Sequence, residues 1–232
     1  MLEIDRLAPL IEEIKSLYGI RFILSPRIKL PTASSIKAKG NKKFLVVFKP
    51  DIDCTDQIAQ DVLRATRQAC EEWKGFNLIT LGGADQRTLS FIKRLKTLIT
   101  DVWVKKEMIE HGFSFGKDVG EYLEVAYSHL SAGQRPYSHV VNENIRLSNS
   151  MVDYTYYLLT KNERDDVFNK AFEKIYASVD PGAVKLADQA FKLISKDNCL
   201  IPNQAKATLI QLLEHLNMKD IIGKPNEYGS KK

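Results

Sequence analysis

Apolar residues at Leu7, Leu10, Ile11, Ile14 and Leu17 follow the three-and-four spacing of one helical face, so residues 2–18 read as an amphipathic helix stopped by Gly19. The period then shortens. Segments 20–24, 27–30, 35–39 and 43–49 are β-like, with Gly40-Asn41 as the hairpin turn between the last two. Helical spacing returns at Thr55, an N-cap type followed by Asp56, and runs to residue 74 through Ile58, Val62, Ala65, Ala69 and Trp73. After the break at Leu81-Gly82-Gly83, a third helix over 86–110 buries Leu89, Ile92, Leu95, Ile99 and Val102. Both of these helices run into a glycine-phenylalanine pair, Gly75-Phe76 and Gly112-Phe113. Each pair is expected to close its helix in a Schellman turn, with glycine left-handed and phenylalanine folded back on the last turn.

From residue 117 the pattern is helical only, at 117–131, 150–159, 162–178, 183–196 and 204–216. Thr160 with Glu163 reads as a capping box, and Asp180-Pro181 as an N-cap followed by a proline at the first helical position. The polar stretch 131–149, containing Pro136, is expected to be a long loop or linker. The tail 223–232 carries Gly, Pro and Lys and is expected to fray. The pattern predicts a mostly helical α+β protein. A small antiparallel sheet packs on helices in a first domain over 1–115, and a helical domain over 116–232 follows.

Composition narrows the class. A chain of 232 residues with 44% hydrophobic and 27% charged content can bury a proper core. Its apolar runs fall far short of the ~20 residues a membrane span needs, and its first residues lack the basic, then apolar, order of a signal peptide. A cytoplasmic protein with no membrane partner is expected. Cys54, Cys70 and Cys199 are well separated and odd in number, which suits reduced thiols and gives no metal-binding pair. No cofactor is implied.

Charge is the sharpest hint. Residues 20–50 hold eight basic side chains and no Asp or Glu in a protein of net charge +5, which leaves a sum of −3 elsewhere. Arg21, Arg27, Lys29, Lys37, Lys39, Lys42, Lys43 and Lys49 therefore form a candidate binding set for nucleic acid or an acidic protein surface. Phe44 and Phe48 lie close enough to offer a base contact, and the third helix adds Arg87, Lys93, Arg94, Lys96, Lys105 and Lys106. The plainer reading is that edge-strand lysines discourage aggregation, and that Phe44 and Phe48, having equal parity, face the core.

The order of elements also carries partial likenesses to catalytic domains. A helix, a small sheet with a hairpin, a helix ending in Trp73-Lys74-Gly75-Phe76 and a long helix ending in Gly112-Phe113 together resemble zincin-like metallopeptidase domains of the small bacterial type. In that family the helix after the sheet carries His-Glu-x-x-His, two imidazoles on one face and a glutamate that activates zinc-bound water. The corresponding place here holds Arg64-Ala65-Thr66-Arg67-Gln68, so the resemblance, limited to residues 2–115, implies a pseudoenzyme without zinc. Gln57, Asp61, Arg64 and Gln68 share a polar face with one carboxylate among them.

A Mg²⁺-dependent nuclease would draw on Asp51, Glu72 and Lys74, whose order superficially matches a restriction-type site. Glu72 and Lys74, however, close a predicted helix about 27 Å from its start at 1.5 Å per residue, instead of lying on a strand beside Asp51. His111 and His215 sit at helix ends, whereas His129 and His139 flank the long loop, with Glu121 and Glu124 preceding them at spacings that fit no metal motif. Leu81-Gly82-Gly83-Ala84 lacks any dinucleotide or P-loop pattern, and no serine lies in GxSxG. Aromatic residues at Tyr154, Tyr156, Tyr157, Phe168, Phe172 and Tyr176 suit helix packing or an oligomer interface in the helical half. The expectation is a non-catalytic binding or regulatory protein. A nuclease and a structural subunit of a larger assembly are the alternatives.

Overall fold

The computed structural model describes residues 4–77, 85–195 and 199–218. Helix α1 (Ile4–Tyr18) leads into strands β1 (Arg21–Pro26), β2 (Ser34–Gly40) and β3 (Lys43–Phe48), then α2 (Thr55–Ala69), a 3-10 turn (Glu71–Trp73) and the short α3 (Lys74–Asn77). The remaining elements are helical: α4 (Gln86–Glu110), α5 (Lys117–Ser131), α6 (Glu143–Thr160), a 3-10 turn (Lys161–Glu163), α7 (Asp166–Val179), α8 (Pro181–Ile194) and α9 (Pro202–His215). The chain forms two compact units, Met1–Asn77 with Trp103–Lys117, and Leu78–Val102 with Asp118–Lys232. Helix α4 contributes its last two turns to the first and the rest to the second.

In the first unit the sheet is mixed, not antiparallel as the pattern predicts. Its order is β1-β3-β2, with β2 and β3 paired as an antiparallel hairpin and β1 parallel to β3. The physical reason lies in β3, whose sequence KFLVVF is apolar on both faces and so takes the centre, where a strand is covered most completely. Residues 27–30, expected to be β-like, lie instead in the connection that carries the chain from β1 to the far edge. Phe44, Val46 and Phe48 of β3 pack against Leu7, Leu10 and Ile14 of α1 and Ile58, Val62 and Ala65 of α2. Leu17, placed on the apolar face by its spacing, is 64% exposed, because the helix ends there at Gly19 with φ +66°.

Two helix ends differ from expectation. Thr55 is not itself the cap: the Asp53 carboxylate accepts from the Thr55 backbone N–H at 3.2 Å and from its hydroxyl at 2.9 Å. Helix α2 stops at Ala69, where Cys70 is extended, so Trp73-Lys74-Gly75-Phe76 forms a 3-10 turn and α3 instead of a Schellman close. Trp73 and Phe76 are both buried and meet edge to face. The second pair behaves as expected. Gly112 has φ +75°, its N–H donates to Ile109 O at 3.0 Å, and Phe113 N–H donates to Met108 O at 2.8 Å, the two bonds that define that motif.

In the second unit α6 starts at Glu143, well before residue 150, because Asn142 caps it by accepting from the Ile145 N–H at 3.2 Å. Leu89 of α4 is partly exposed, while Phe91, Ile92, Leu95, Leu98 and Ile99 are buried. Thr160 does not cap α7. Its buried hydroxyl donates to Tyr156 O at 2.8 Å, and Asp165 caps the helix by accepting from the Phe168 N–H at 2.8 Å. Tyr154 and Tyr157 of α6 pack with Phe172 and Tyr176 of α7, with ring centroids 4.7–6.2 Å apart, so these aromatics are core. Helix α8 presents Ala183, Ala187 and Ala190, which lets it approach α6 closely. A methyl on Gly182 would meet Leu147 Cδ2 at 3.2 Å.

Candidate functional site

Strand register sorts the eight basic residues. Arg21 pairs in register with Lys43, Ile23 with Leu45, and Lys37 with Leu45 from the other side, so Arg21, Lys43 and Lys37 project from the face opposite the core. Lys39 follows at the irregularity between Ala38 and Gly40. Ile23, 42% exposed, and half-buried Leu45 lie among them. Arg21, Lys37, Lys39 and Lys43 are all exposed, and none of the four pairs with a carboxylate among the described residues. Like charges on neighbouring strands repel, so the Arg21–Lys43 juxtaposition costs stability that the fold does not recover locally.

The other four sit elsewhere. Arg27 and Lys29 are exposed in the β1–β2 connection, Lys42 donates to Tyr18 O at 3.1 Å from the hairpin turn, and Lys49 is half-buried after β3. Phe44 and Phe48 are buried in the core, and Phe22 stacks on Phe44 at 5.4 Å. The basic face therefore carries no aromatic platform for a base.

Residues 64–68, compared above with a zinc motif, include two packed side chains. On α2 the Thr66 hydroxyl donates to Val62 O at 2.8 Å, and the buried Arg67 guanidinium lies over the rings of Trp73 and Trp103. Asp51 is exposed in the turn after β3, Glu72 is exposed in the 3-10 turn, and Lys74 reaches Glu71 at 3.4 Å. Among the described residues no group of three or more His, Cys, Asp or Glu side chains could hold a metal ion, and no helix is long and apolar enough to cross a membrane. The Leu81–Ala84 glycine turn and the C-terminal tail lie outside the described residues.

A second constellation, in the helical unit, was not singled out from the sequence. Asp153 of α6 is 4% exposed, yet its carboxylate meets three donors from three elements: Arg94 of α4, the Tyr122 hydroxyl of α5, and the Tyr137 hydroxyl at 2.7 Å from the loop before α6. Arg94 also donates to the Asn149 side-chain Oδ1 at 2.5 Å and lies over the Tyr137 ring. Burial lifts the Asp153 pKa against the pull of Arg94 and the two phenols. A guanidinium and two hydroxyls are nonetheless the donor set of a carboxylate. Burial, reinforced by the Asp153 charge, pushes the Tyr137 hydroxyl up to about 12, and Tyr122 rises further for the same reasons, so both keep their protons.

Tyr137 has φ +56°, a left-handed backbone that a tyrosine rarely adopts. A cleft of about 430 Å³ opens beside this network, between α5, the 134–139 loop and α6. The one sequence-level signal for it was an aspartate in the apolar run Met151-Val152-Asp153-Tyr154. A charge there must be paired or it unfolds the helix packing around it.

A scan of protein-family models, a search of curated proteins and a search of solved structures each returned no match to this chain.

Proposed function

We propose that the protein is a non-catalytic binding protein whose sheet-bearing unit docks a polyanion on the outer face of its three strands. The observation that supports this most is the strand register, which gathers Arg21, Lys37 and Lys43 on one exposed face without an ion-paired carboxylate. With Phe44 and Phe48 in the core, contact falls on phosphates, not bases, so binding depends strongly on salt and weakly on sequence. The apolar strip of Ile23 and Leu45 suits the sugar edges of a backbone.

The experiment is a titration of labelled duplex DNA and RNA at several salt concentrations, with and without Mg²⁺. Four phosphate contacts give a slope of log K against log salt of about −3 to −4 for a duplex. The combined variant Lys37→Glu, Lys39→Glu, Lys43→Glu is expected to abolish binding while leaving thermal unfolding within a few degrees of the parent. Absence of binding at low salt, or binding that the triple variant retains, overturns the proposal. Cleavage in Mg²⁺ that Glu72→Ala removes would replace it with a hydrolytic one.

A further inference from the structure

We infer that the cleft of the helical unit is a binding site for a small, uncharged, planar aromatic molecule that carries an N–H or O–H donor. The inference stands on the cleft's shape, its charge balance and the direction of its hydrogen bonds, and it is independent of the polyanion proposal.

Shape comes first. The cleft measures about 430 Å³, within the range of small-molecule sites, and the rings of Tyr122, Tyr137, His129 and His139 line it over a floor that includes buried Tyr176 and Leu130. Flat walls of this kind favour a flat ligand, since ring-on-ring contact adds to area burial. Tyr137 on this wall has φ +56°, a strained backbone for tyrosine, and its hydroxyl is tied to Asp153 at 2.7 Å.

Charge balance disfavours ions as occupants. The lining holds one carboxylate, Asp153, and one guanidinium, Arg135, beside the imidazoles of His129 and His139. Asp153 is already neutralised by Arg94, and Arg135 is engaged by Glu143 at 3.0 Å, with Asp180 at 3.9 Å. A cationic or anionic ligand would give up its hydration and compete with these existing pairs.

Hydrogen-bond direction then sets the polar requirement. The Tyr122 and Tyr137 hydroxyls both donate to Asp153, which leaves each oxygen only lone pairs to offer. His129 is held on the same wall, its Nδ1 2.8 Å from the Gln134 side-chain oxygen. The two phenol oxygens are acceptors, and they call for a donor on the ligand. The ring walls supply the affinity, and the donor supplies the orientation.

Four probes that share one ring separate these elements: indole, 1-methylindole, tryptamine and indole-3-acetate. Titrated against the full chain by calorimetry and ligand-observed NMR, indole is expected to bind saturably below about 1 mM, a range ordinary for so small a fragment. 1-Methylindole, which lacks the donor, and the two charged analogues are expected to bind at least five-fold more weakly. Val125→Trp changes an exposed rim residue and fills the cleft without touching the core, so it should remove indole binding from a folded protein. Tyr122→Phe should weaken indole but leave 1-methylindole unchanged. Four outcomes each overturn the inference: no saturable binding of indole, equal binding of 1-methylindole, tighter binding of either charged probe, or full binding by folded Val125→Trp.

Discussion

In the sheet-bearing unit Arg21 and Lys43 lie side by side on neighbouring strands with solvent beyond them, whereas in the helical unit Arg146 is buried against Asp180 through bonds of 2.6 and 3.0 Å. The contrast extends to the surroundings. Asp180 also accepts from Ser150 at 2.7 Å, Ser150 meets the Tyr176 hydroxyl at 2.8 Å, and Glu143 holds the other edge of Arg146. Burial works to raise the Asp180 pKa, but the Arg146 hydrogen bonds and Ser150 outweigh it and hold the carboxyl below its usual range. At Arg146 and Asp180 charge is internal structure. At Arg21 and Lys43 it stands on a surface, where like charges on neighbouring strands repel and a counter-anion would relieve them.

This comparison can be broken most forcefully at Arg146. Replacing it with methionine leaves Asp180 buried without its countercharge, and the expected loss is about 3–5 kcal/mol of unfolding free energy, read as a lowered urea midpoint. A loss below about 1 kcal/mol would mean the network carries little of the helical unit's stability. A smaller effect of opposite sign is expected at Lys43→Thr, which ends the repulsion with Arg21 and adds a β-branched residue to the strand. It should stabilise by about 0.2–1 kcal/mol while weakening polyanion binding. If the variant is destabilised instead, the lysine serves the fold and not a partner.

The smallest effect concerns pH. Burial disfavours the His111 imidazolium, but its contacts with Glu13 at 3.0 Å and the Glu107 carbonyl oxygen at 2.8 Å outweigh this, with the charges of both glutamates, and raise its pKa. A raised folded-state pKa contributes stability fully present below about pH 6.5, the unfolded value, and lost as pH rises through the folded value. Thermal unfolding should therefore show a shallow loss of stability on the alkaline side of that window, flattened in His111→Gln. An unchanged profile in the variant would show that the His111–Glu13 contact is too solvent-exposed to matter.

How much was legible in advance differs between these regions for a physical reason. The bounds of α4 and α5 follow from periodicity, because a long amphipathic helix is specified by the residues along it. The close at Gly112-Phe113 was legible too, since a left-handed position needs glycine. The identical-looking Gly75-Phe76 was not, because Cys70 leaves the helix before it and burial of Trp73 and Phe76 redirects the chain. The basic composition of 20–50 was plain, but which cations share a face depended on β1 pairing with β3 instead of β2.

The sequence by itself determined the mostly helical α+β class, the positions of the longest helices and the concentration of positive charge, all properties of residues near one another along the chain. Tertiary structure alone decided the mixed sheet, the one face that collects Arg21, Lys37 and Lys43, and the meeting of Arg94, Tyr122, Tyr137 and Asp153 beside a cleft. Those are pairings between segments tens of residues apart. They are set by which arrangement buries the most apolar surface while leaving no buried charge unmatched, a condition that no local pattern records.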